Sequence, residues 1–178
     1  ALTTGNQNVA IGKSAMHTDT LGNYSVAIGK NALYRQNFTT ATEVYNTVVG
    51  YAAGQEITTG DANTLIGGLA GDALNTGNSN VAVGVMALTA DTKGDRNTAV
   101  GYAALAFQNF TTTTDSYNVA VGFSAGNAIT TGINNTCIGS ESGDKITDAD
   151  NNVAVGTYAL FADTLGSKST AVGYGALI

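Results

Sequence analysis

Residues 80–88 read Asn-Val-Ala-Val-Gly-Val-Met-Ala-Leu, and this stretch decides the fold because close variants of it recur along the whole chain. Residues 8–16 read Asn-Val-Ala-Ile-Gly-Lys-Ser-Ala-Met, and residues 97–105 read Asn-Thr-Ala-Val-Gly-Tyr-Ala-Ala-Leu. A fixed period is the signature of a repeat architecture. Ten copies share one glycine, and each copy is called a coil, numbered 1–10 in this order: Gly12, Gly29, Gly50, Gly67, Gly84, Gly101, Gly122, Gly139, Gly156 and Gly173.

A second, longer period lies on top of the first. The spacing between successive coil glycines is 17, except before coils 3 and 7, where it is 21. The string QNFTT at 36–40 returns at 108–112, and ITTG at 57–60 returns at 129–132, which defines a 72-residue block of four coils. Residues 1–178 are therefore expected to form one continuous array of such blocks. Both ends of the sequence align with the middle of a coil, which predicts a fragment of a longer fibre.

Each coil alternates β-branched and small residues before its glycine, which is typical of a β-strand. A period of 17 is too short for a helix pair, and a repeated Gly and Asn would weaken a helix. The sequence therefore predicts an all-β fold, a parallel β-solenoid of about ten 17- or 21-residue coils. Equivalent residues would stack about 4.8 Å apart, giving a rod on the order of 45 Å long.

The columns of equivalent residues predict how a coil is built. The ten glycines would supply a positive φ or a close backbone approach at a turn. The Ile or Val that precedes each glycine is expected to fill the inside, and the Ala and Gly faces to receive neighbouring chains. A side-chain amide ladder is expected from Asn8, Asn46, Asn63, Asn80, Asn97, Asn118, Asn135 and Asn152. Buried aliphatic residues are expected at Leu33, Leu88, Leu105, Leu160 and Leu177, and, in coils with a second glycine, at Ile57, Leu74, Ile129 and Ile146.

The repeat strings resemble a known family. Residues 8–15 and 25–29 are similar to the head repeat of trimeric autotransporter adhesins, whose heads are left-handed parallel β-rolls that assemble as trimers. Strings such as residues 97–105 also look like repeats of bacteriophage tail fibres and related appendages. The resemblance implies a left-handed homotrimer and an extracellular location, on a virion appendage or a bacterial surface. The adhesin-head coils are typically shorter than the coils found here.

Composition excludes several classes of function. No apolar run reaches the roughly 18 residues of a membrane span, so no membrane insertion is expected. The formal net charge is −6 with only seven Lys and Arg residues, which argues against nucleic-acid binding. No set of nucleophile, acid and base stands out, so we expect no enzyme activity, no catalytic residues and no cofactor.

Three residues or motifs have plainer interpretations than a site. His17 is the one histidine and is expected on a surface loop. Cys137 stands in the Ala column, which predicts a small buried residue. Residues 148–152 hint at a calcium loop but lack its glycine and its final glutamate, so no metal site is expected.

The four-residue expansions of coils 3 and 7 are the candidate contact sites. Both are Thr-rich loops flanked by aromatic residues, expected to project sideways as decoration, as lateral packing or as a weak receptor-binding surface repeated for avidity. Their candidate contact residues are Phe38, Thr39, Thr40 and Tyr45, and Phe110, Thr111, Thr112 and Tyr117.

Two functions remain open. The first is a structural shaft or head segment of a trimeric adhesive fibre, which presents or contributes to binding of a host cell-surface receptor or glycan. The second is an ice- or surface-binding β-solenoid, which would need a flat ladder of threonines. Val and Thr alternate irregularly in the relevant column, and the Thr-Thr-Gly motif that starts at Thr3, Thr58 and Thr130 skips coils.

Overall fold

The computed structural model describes residues 5–178, and this part of the chain has fourteen β-strands and no helix. Residues 1–4, which include Thr3, lie outside it. Each coil contributes one three-residue strand; these are β1 Val9–Ile11, β3 Val26–Ile28, β5 Thr47–Val49, β6 Thr64–Ile66, β7 Val81–Val83, β9 Thr98–Val100, β11 Val119–Val121, β12 Thr136–Ile138, β13 Val153–Val155 and β14 Thr170–Val172. The two-residue strands are β2 Gly22–Asn23, β4 Thr42–Glu43, β8 Gly94–Asp95 and β10 Thr114–Asp115.

The ten longer strands form one parallel sheet in which chain order is also spatial order. Equivalent residues pair across neighbouring coils, so that Ala82 lies between Leu65 and Ala99. The two-residue strands make two small parallel sheets, β2 with β4 and β8 with β10, where a shorter coil meets an expanded one. The predicted all-β parallel β-solenoid of about ten coils is confirmed.

The small column of each strand, two residues before the glycine, points into the solenoid. Ala82 and Leu65 are fully buried in it, as is Cys137. The Ile/Val column points outward instead: Ile66 and Ile138 are each 39% exposed. The prediction that this column fills the inside was wrong, and so was the placement of the Ala face against neighbouring chains. The inside already holds a Leu or Ile from the far side of each coil, so mainly small residues fit opposite.

The predicted aliphatic residues supply that filling. Leu33, Leu88, Leu105 and Leu160 are buried in one coil type, and Ile57, Leu74, Ile129 and Ile146 in the other. Leu177 is exposed, contrary to prediction. Residue sizes compensate within a coil: a Cβ on Gly143 would lie 2.5 Å from the Cys137 Sγ. A larger residue in the small column therefore goes with a glycine across the interior.

All ten coil glycines have a positive φ, and all but Gly173 also allow the close backbone approach that was predicted. Their φ angles lie between 125° and 147°, where side chains are rarely tolerated. A Cβ on Gly139 would lie 2.6 Å from the backbone oxygen of Gly156 in the next coil. The glycine column therefore lets successive turns approach each other directly.

The asparagine ladder joins successive coils beside the sheet. The Asn63 N–H donates to Asn46 Oδ1 at 2.8 Å, and the Asn80 N–H donates to Asn63 Oδ1 at 2.9 Å. The Asn63 Nδ2 group also donates to the Gly77 carbonyl at 2.9 Å. Ser25 interrupts the ladder in coil 2, and its buried Oγ has no hydrogen-bond partner. The ladder gives these buried backbone groups a partner without bulk water.

We expect Gly139→Ala to destabilise the solenoid by more than about 2 kcal/mol, because it combines an unfavourable φ with a backbone clash. Gly68→Ala is the matched control, since Gly68 has an ordinary φ and no atom lies within 4 Å of its Cβ position. Denaturant unfolding would measure both variants. Equal stability of the two would contradict the proposed role of the glycine column.

Candidate functional site

The described residues offer surfaces rather than cavities. Residues 5–178 enclose no pocket, and they bring together no group of three His, Cys, Asp or Glu side chains suited to a metal ion. In the same part of the chain, no helix is long and apolar enough to cross a membrane. The candidates are therefore the exposed side of the ten-stranded sheet and the two expansion loops.

The outer face is the exposed side of the sheet, formed by the residues three and one before each coil glycine. The first column holds Val or Thr and the second holds Ile or Val in every coil. Its side chains are half-buried or exposed, as in Thr98 and Val100 of β9. The face is thus a continuous ladder of β-branched residues about 45 Å long.

Two rims border the outer face. The front rim is the residue five before each glycine, and the rear rim is the residue directly after it. Front-rim residues have φ angles of 50–64°. Exposed aromatic side chains concentrate there: Tyr24, Tyr45 and Tyr117 on the front rim, and Tyr51, Tyr102, Phe123 and Tyr174 on the rear rim.

Aromatic and basic side chains on the rims contact each other along the rod. Tyr24 stacks on Tyr45 with ring centroids 5.3 Å apart, and Tyr102 stacks on Phe123 at 5.5 Å. The Arg96 guanidinium carbon lies 5.6 Å from the centroid of the Tyr117 ring. Such cation–π and stacking contacts hold exposed side chains in defined positions.

The charges are unevenly distributed around the solenoid. The outer face and its rims carry four of the seven basic residues, Lys13, Lys30, Arg96 and Lys168, and none of the 13 acidic residues. All the carboxylates therefore lie elsewhere on the coils, including that of Asp115, which pairs with Arg96 from outside the front rim. The outer face and rims themselves contribute only positive charge.

The expansion loops are only partly as predicted. Thr39, Thr40, Thr111 and Thr112 are exposed, as are Tyr45 and Tyr117. Phe38 and Phe110, predicted as surface contacts, are each only 6% exposed, so that part of the prediction was wrong. Phe110 packs over Gly94, where a Cβ would lie 3.0 Å from its ring. The phenylalanines anchor the loops, and the threonines form their accessible part.

A buried polar network anchors the second loop at both ends. Gln108 Nε2 donates to Asp91 Oδ2 at 2.6 Å, and Asn118 Nδ2 donates to Gln108 Oε1 at 2.8 Å. Asp91 Oδ1 accepts from the Phe110 N–H at 3.2 Å and from the Gly94 N–H at 3.0 Å. The first loop repeats the arrangement with Asp19, Gln36 and Asn46. The insertion therefore leaves the coil between fixed attachment points.

Burial raises the pKa of the Asp91 carboxyl, although its hydrogen bonds to Gln108 and to backbone N–H groups oppose the shift. Burial is also the main cause of the raised pKa values of Asp72 and Asp95. The charged forms of these groups lose hydration that the hydrogen bonds do not fully replace.

His17 and Cys137 lie where expected. His17 is exposed and stacks on Tyr34 at 5.1 Å. Cys137 is fully buried, and burial raises the pKa of its thiol to about 12. Within residues 148–152, the Asp150 Oδ1 accepts a hydrogen bond from the Ile133 N–H at 2.8 Å. Each is accounted for by packing or by local hydrogen bonding.

Fold and surface together define the class: a parallel β-solenoid repeat protein with one apolar side. No family model, no curated protein and no solved structure matches the chain. The outer face, its rims and the expansion loops are therefore the features from which a function can be inferred.

Sequence reasoning missed the outer face. The sequence did carry an indication in the small column, where Ala dominates. The exceptions Val48, Leu65 and Cys137 all occur in coils that have a second glycine, which is Gly54, Gly71 and Gly143 respectively. That size compensation marks a crowded interior. It indicates that the small column points inward and the β-branched column outward.

We expect the free energy of unfolding to fall as the pH rises above about 3.9, the pKa of an unfolded aspartate. Because the pKa of Asp91 is raised in the fold, the native state holds the proton more tightly, and this advantage is lost as pH passes the folded pKa. Denaturant unfolding at pH 3–7 would compare the wild type with Asp91→Asn. The wild type should lose stability relative to the variant with rising pH; a relative gain would contradict the assignment.

Proposed function

We propose that this chain is a structural shaft or head segment of a trimeric adhesive fibre, on a phage tail or a bacterial surface appendage. The observation that carries the proposal is the continuous outer face, in which fifteen of the twenty positions are Val or Ile and the other five are Thr. Monomeric proteins rarely expose apolar patches beyond a few hundred Å², and larger patches mark interaction sites. Ten stacked coils with such a face suit a stiff rod assembled from several chains.

The number of chains is proposed from the resemblance of the repeat strings to trimeric fibre heads. A threefold axis parallel to the rod would let three outer faces converge and bury one another. Closed cyclic symmetry of this kind is usual for homo-oligomers. The place of action is proposed to be extracellular, as such fibres require.

The expansion loops would lie away from the axis, where a host receptor or glycan could reach them. Each chain has two loops, one in each of two successive four-coil blocks, so a trimer would present six. Individually weak contacts made by exposed threonines such as Thr40 and Thr112 would gain strength from this repetition. The role is mechanical and adhesive rather than enzymatic, and it needs neither a cofactor nor nucleic acid.

One observation favours a second candidate, ice or surface binding. Thr47, Thr64, Thr98 and Thr136 are aligned on the outer face of the sheet. Val81, Val119 and Val153 interrupt that alignment. The ladder is therefore less regular than the flat threonine array that this function would need.

In sedimentation at micromolar concentration, we expect a particle of three times the 17.9 kDa chain mass. Val83→Lys with Val155→Lys should yield folded monomers, because it places two charges in the buried interface. Thr59→Lys with Thr131→Lys, at equivalent positions of successive four-coil blocks and away from the outer face, is the matched control and should stay trimeric. A monomeric wild-type chain would overturn the proposal.

A thermal-hysteresis measurement separates the two candidates. We expect no activity from the wild-type chain, because valine breaks the threonine column in half of the coils. Clear hysteresis that is lost on replacing Thr64 and Thr98 with lysine would establish ice binding in place of the fibre role.

A further inference from the structure

We infer that copies of this chain pack parallel and in axial register, and that the aromatic and basic side chains on the two rims set that register. The inference rests on the proposed self-association and names the surface that directs it. The partner is a second copy of the chain. Rotation about an axis parallel to the rod places the front rim of one copy beside the rear rim of the next, coil against coil.

Near-identical coils create a problem for such an assembly. The outer face repeats about every 4.8 Å along the rod. A neighbour shifted by one coil would meet almost the same Val, Ile and Thr side chains and lose about one tenth of the overlap. A closed ring about an axis parallel to the rod requires zero shift, whereas a constant shift between neighbours gives an open, staggered assembly. The β-branched ladder would stabilise both nearly equally and cannot by itself select the closed, in-register ring.

The rims do not share this uniformity. Coils 2, 3, 6 and 7 carry large rim side chains, whereas coils 4, 5, 8 and 9 carry smaller ones. Gly68 of coil 4 has no atom within 4 Å of its Cβ position, so the rim is recessed there. The smaller front-rim residues are Ala62, Ser79, Asn134 and Asn151, and the rear-rim ones are Gly68, Val85, Ser140 and Thr157.

In register, the two rims match in both size and charge. Tyr45 would face the next copy's Tyr51, and Tyr117 would face Phe123. Coils 2, 6 and 10 each carry one basic side chain on a rim, and that side chain would face an aromatic ring of the neighbouring copy. These pairs are Lys30 with Tyr24, Arg96 with Tyr102, and Lys168 with Tyr174. Cation–π attraction and ring packing favour all of them.

A shift of one coil leaves two or three favourable rim pairs in place of five. In one direction Tyr45 would face Gly68 and Tyr117 would face Ser140, so both of these ring contacts are lost. In the other direction Tyr45 would face Lys30 and Tyr117 would face Tyr102, which are favourable pairs, but Arg96 would face Val85 and Lys168 would face Thr157. A two-coil shift places Arg96 opposite Gly68 or Ser140. A four-coil shift restores aromatic and cation–aromatic pairs, but it sacrifices about 19 Å of the roughly 45 Å face. The in-register alignment is the one that satisfies both rims and the whole face.

The size of the surface fits this partner. From front rim to rear rim a coil spans about 20 Å, so the face and rims present about 900 Å² per copy. In a trimer each copy divides this area between two neighbours, about 450 Å² to each. Stable two-chain interfaces bury about 800 Å² per partner, so the area buried by one copy reaches that size when both of its contacts are counted. The absence of acidic residues from the same strip means that no carboxylate of the strip would be desolvated by a second copy.

Cysteine cross-linking tests the register. In a Cys137→Ala background, the pairs Ala62→Cys/Gly68→Cys and Ser79→Cys/Val85→Cys each lie on one coil. The pairs Ala62→Cys/Val85→Cys and Ser79→Cys/Gly68→Cys use the same four positions shifted by one coil. A disulfide needs Cα atoms within about 7 Å, whereas front and rear rim of one chain are about 20 Å apart, so every cross-link joins two chains. We expect same-coil pairs to cross-link about tenfold faster than shifted pairs.

The role of the rims is tested by removing their large side chains. Tyr24, Tyr45 and Tyr117 would be replaced by Ala, and Tyr51, Tyr102 and Phe123 by Ser, since Ala62 and Ser140 already occupy these rim positions. We expect shifted pairs then to cross-link as fast as same-coil pairs. An unchanged same-coil preference would overturn the assignment to the rims. Oligomers that cross-link through shifted pairs instead of same-coil pairs would overturn the register alone, whereas a monomeric chain would overturn the proposed function itself.

Discussion

The direct stacking of the coil glycines is the constraint on which the rest of the structure depends. A Cβ on Gly12 would lie 2.6 Å from the Gly29 oxygen, and one on Gly139 equally close to the Gly156 oxygen. Each turn must therefore lie over the previous one at the spacing of a parallel sheet. The asparagine ladder, the strand register and the outward column all follow from that alignment. Proline is absent from the sequence, as expected where nearly every coil needs its ladder donors.

Because the coil glycines must stay aligned, inserted residues can only be accommodated in a loop that projects from the coil. The four-residue expansions do so between a buried Gln and a buried Asn ten residues later, Gln108 and Asn118 in the second copy. The same long coils end their expansions in Tyr45 and Tyr117, which stand on the front rim. One insertion thus changes three features at once: the buried network, the exposed threonines and the shape of the rim. The exposed side chains therefore repeat with the same four-coil period as the buried network.

Much of the fold was predictable because the repeat is so regular. Strand position, parallel pairing, the glycine turn and the asparagine ladder all follow from columns that hardly vary. The direction of the strand faces did not follow, because alternation alone does not say which face is inside. The left-handed backbone conformation at Tyr45, Leu88 and Met86 could not be predicted from the sequence either. Tyr, Leu and Met rarely adopt a positive φ, so these residue types do not indicate one. Stacking against neighbouring coils imposes it. Phe38 and Phe110 were wrongly predicted to be exposed because the sequence around them is rich in threonine. In the structure, the buried hydrogen bond between Asp and Gln holds the start of each loop against the interior.

The distribution of charge connects the surface of one chain with its assembly. The outer face and rims form a strip of about 900 Å², and the mainly aliphatic centre of this strip on a lone rod invites uncontrolled association. Carboxylates on that strip would limit such contacts, but they would also have to be desolvated in any specific one. The charged residues of this strip are all basic and all lie on the rims. For three of these four residues, an aromatic ring lies on the opposite rim of the same coil. A cation beside an aromatic ring keeps part of its stabilisation when water is removed. In the proposed assembly, this arrangement would keep the free rims hydrated and favour one alignment when copies meet.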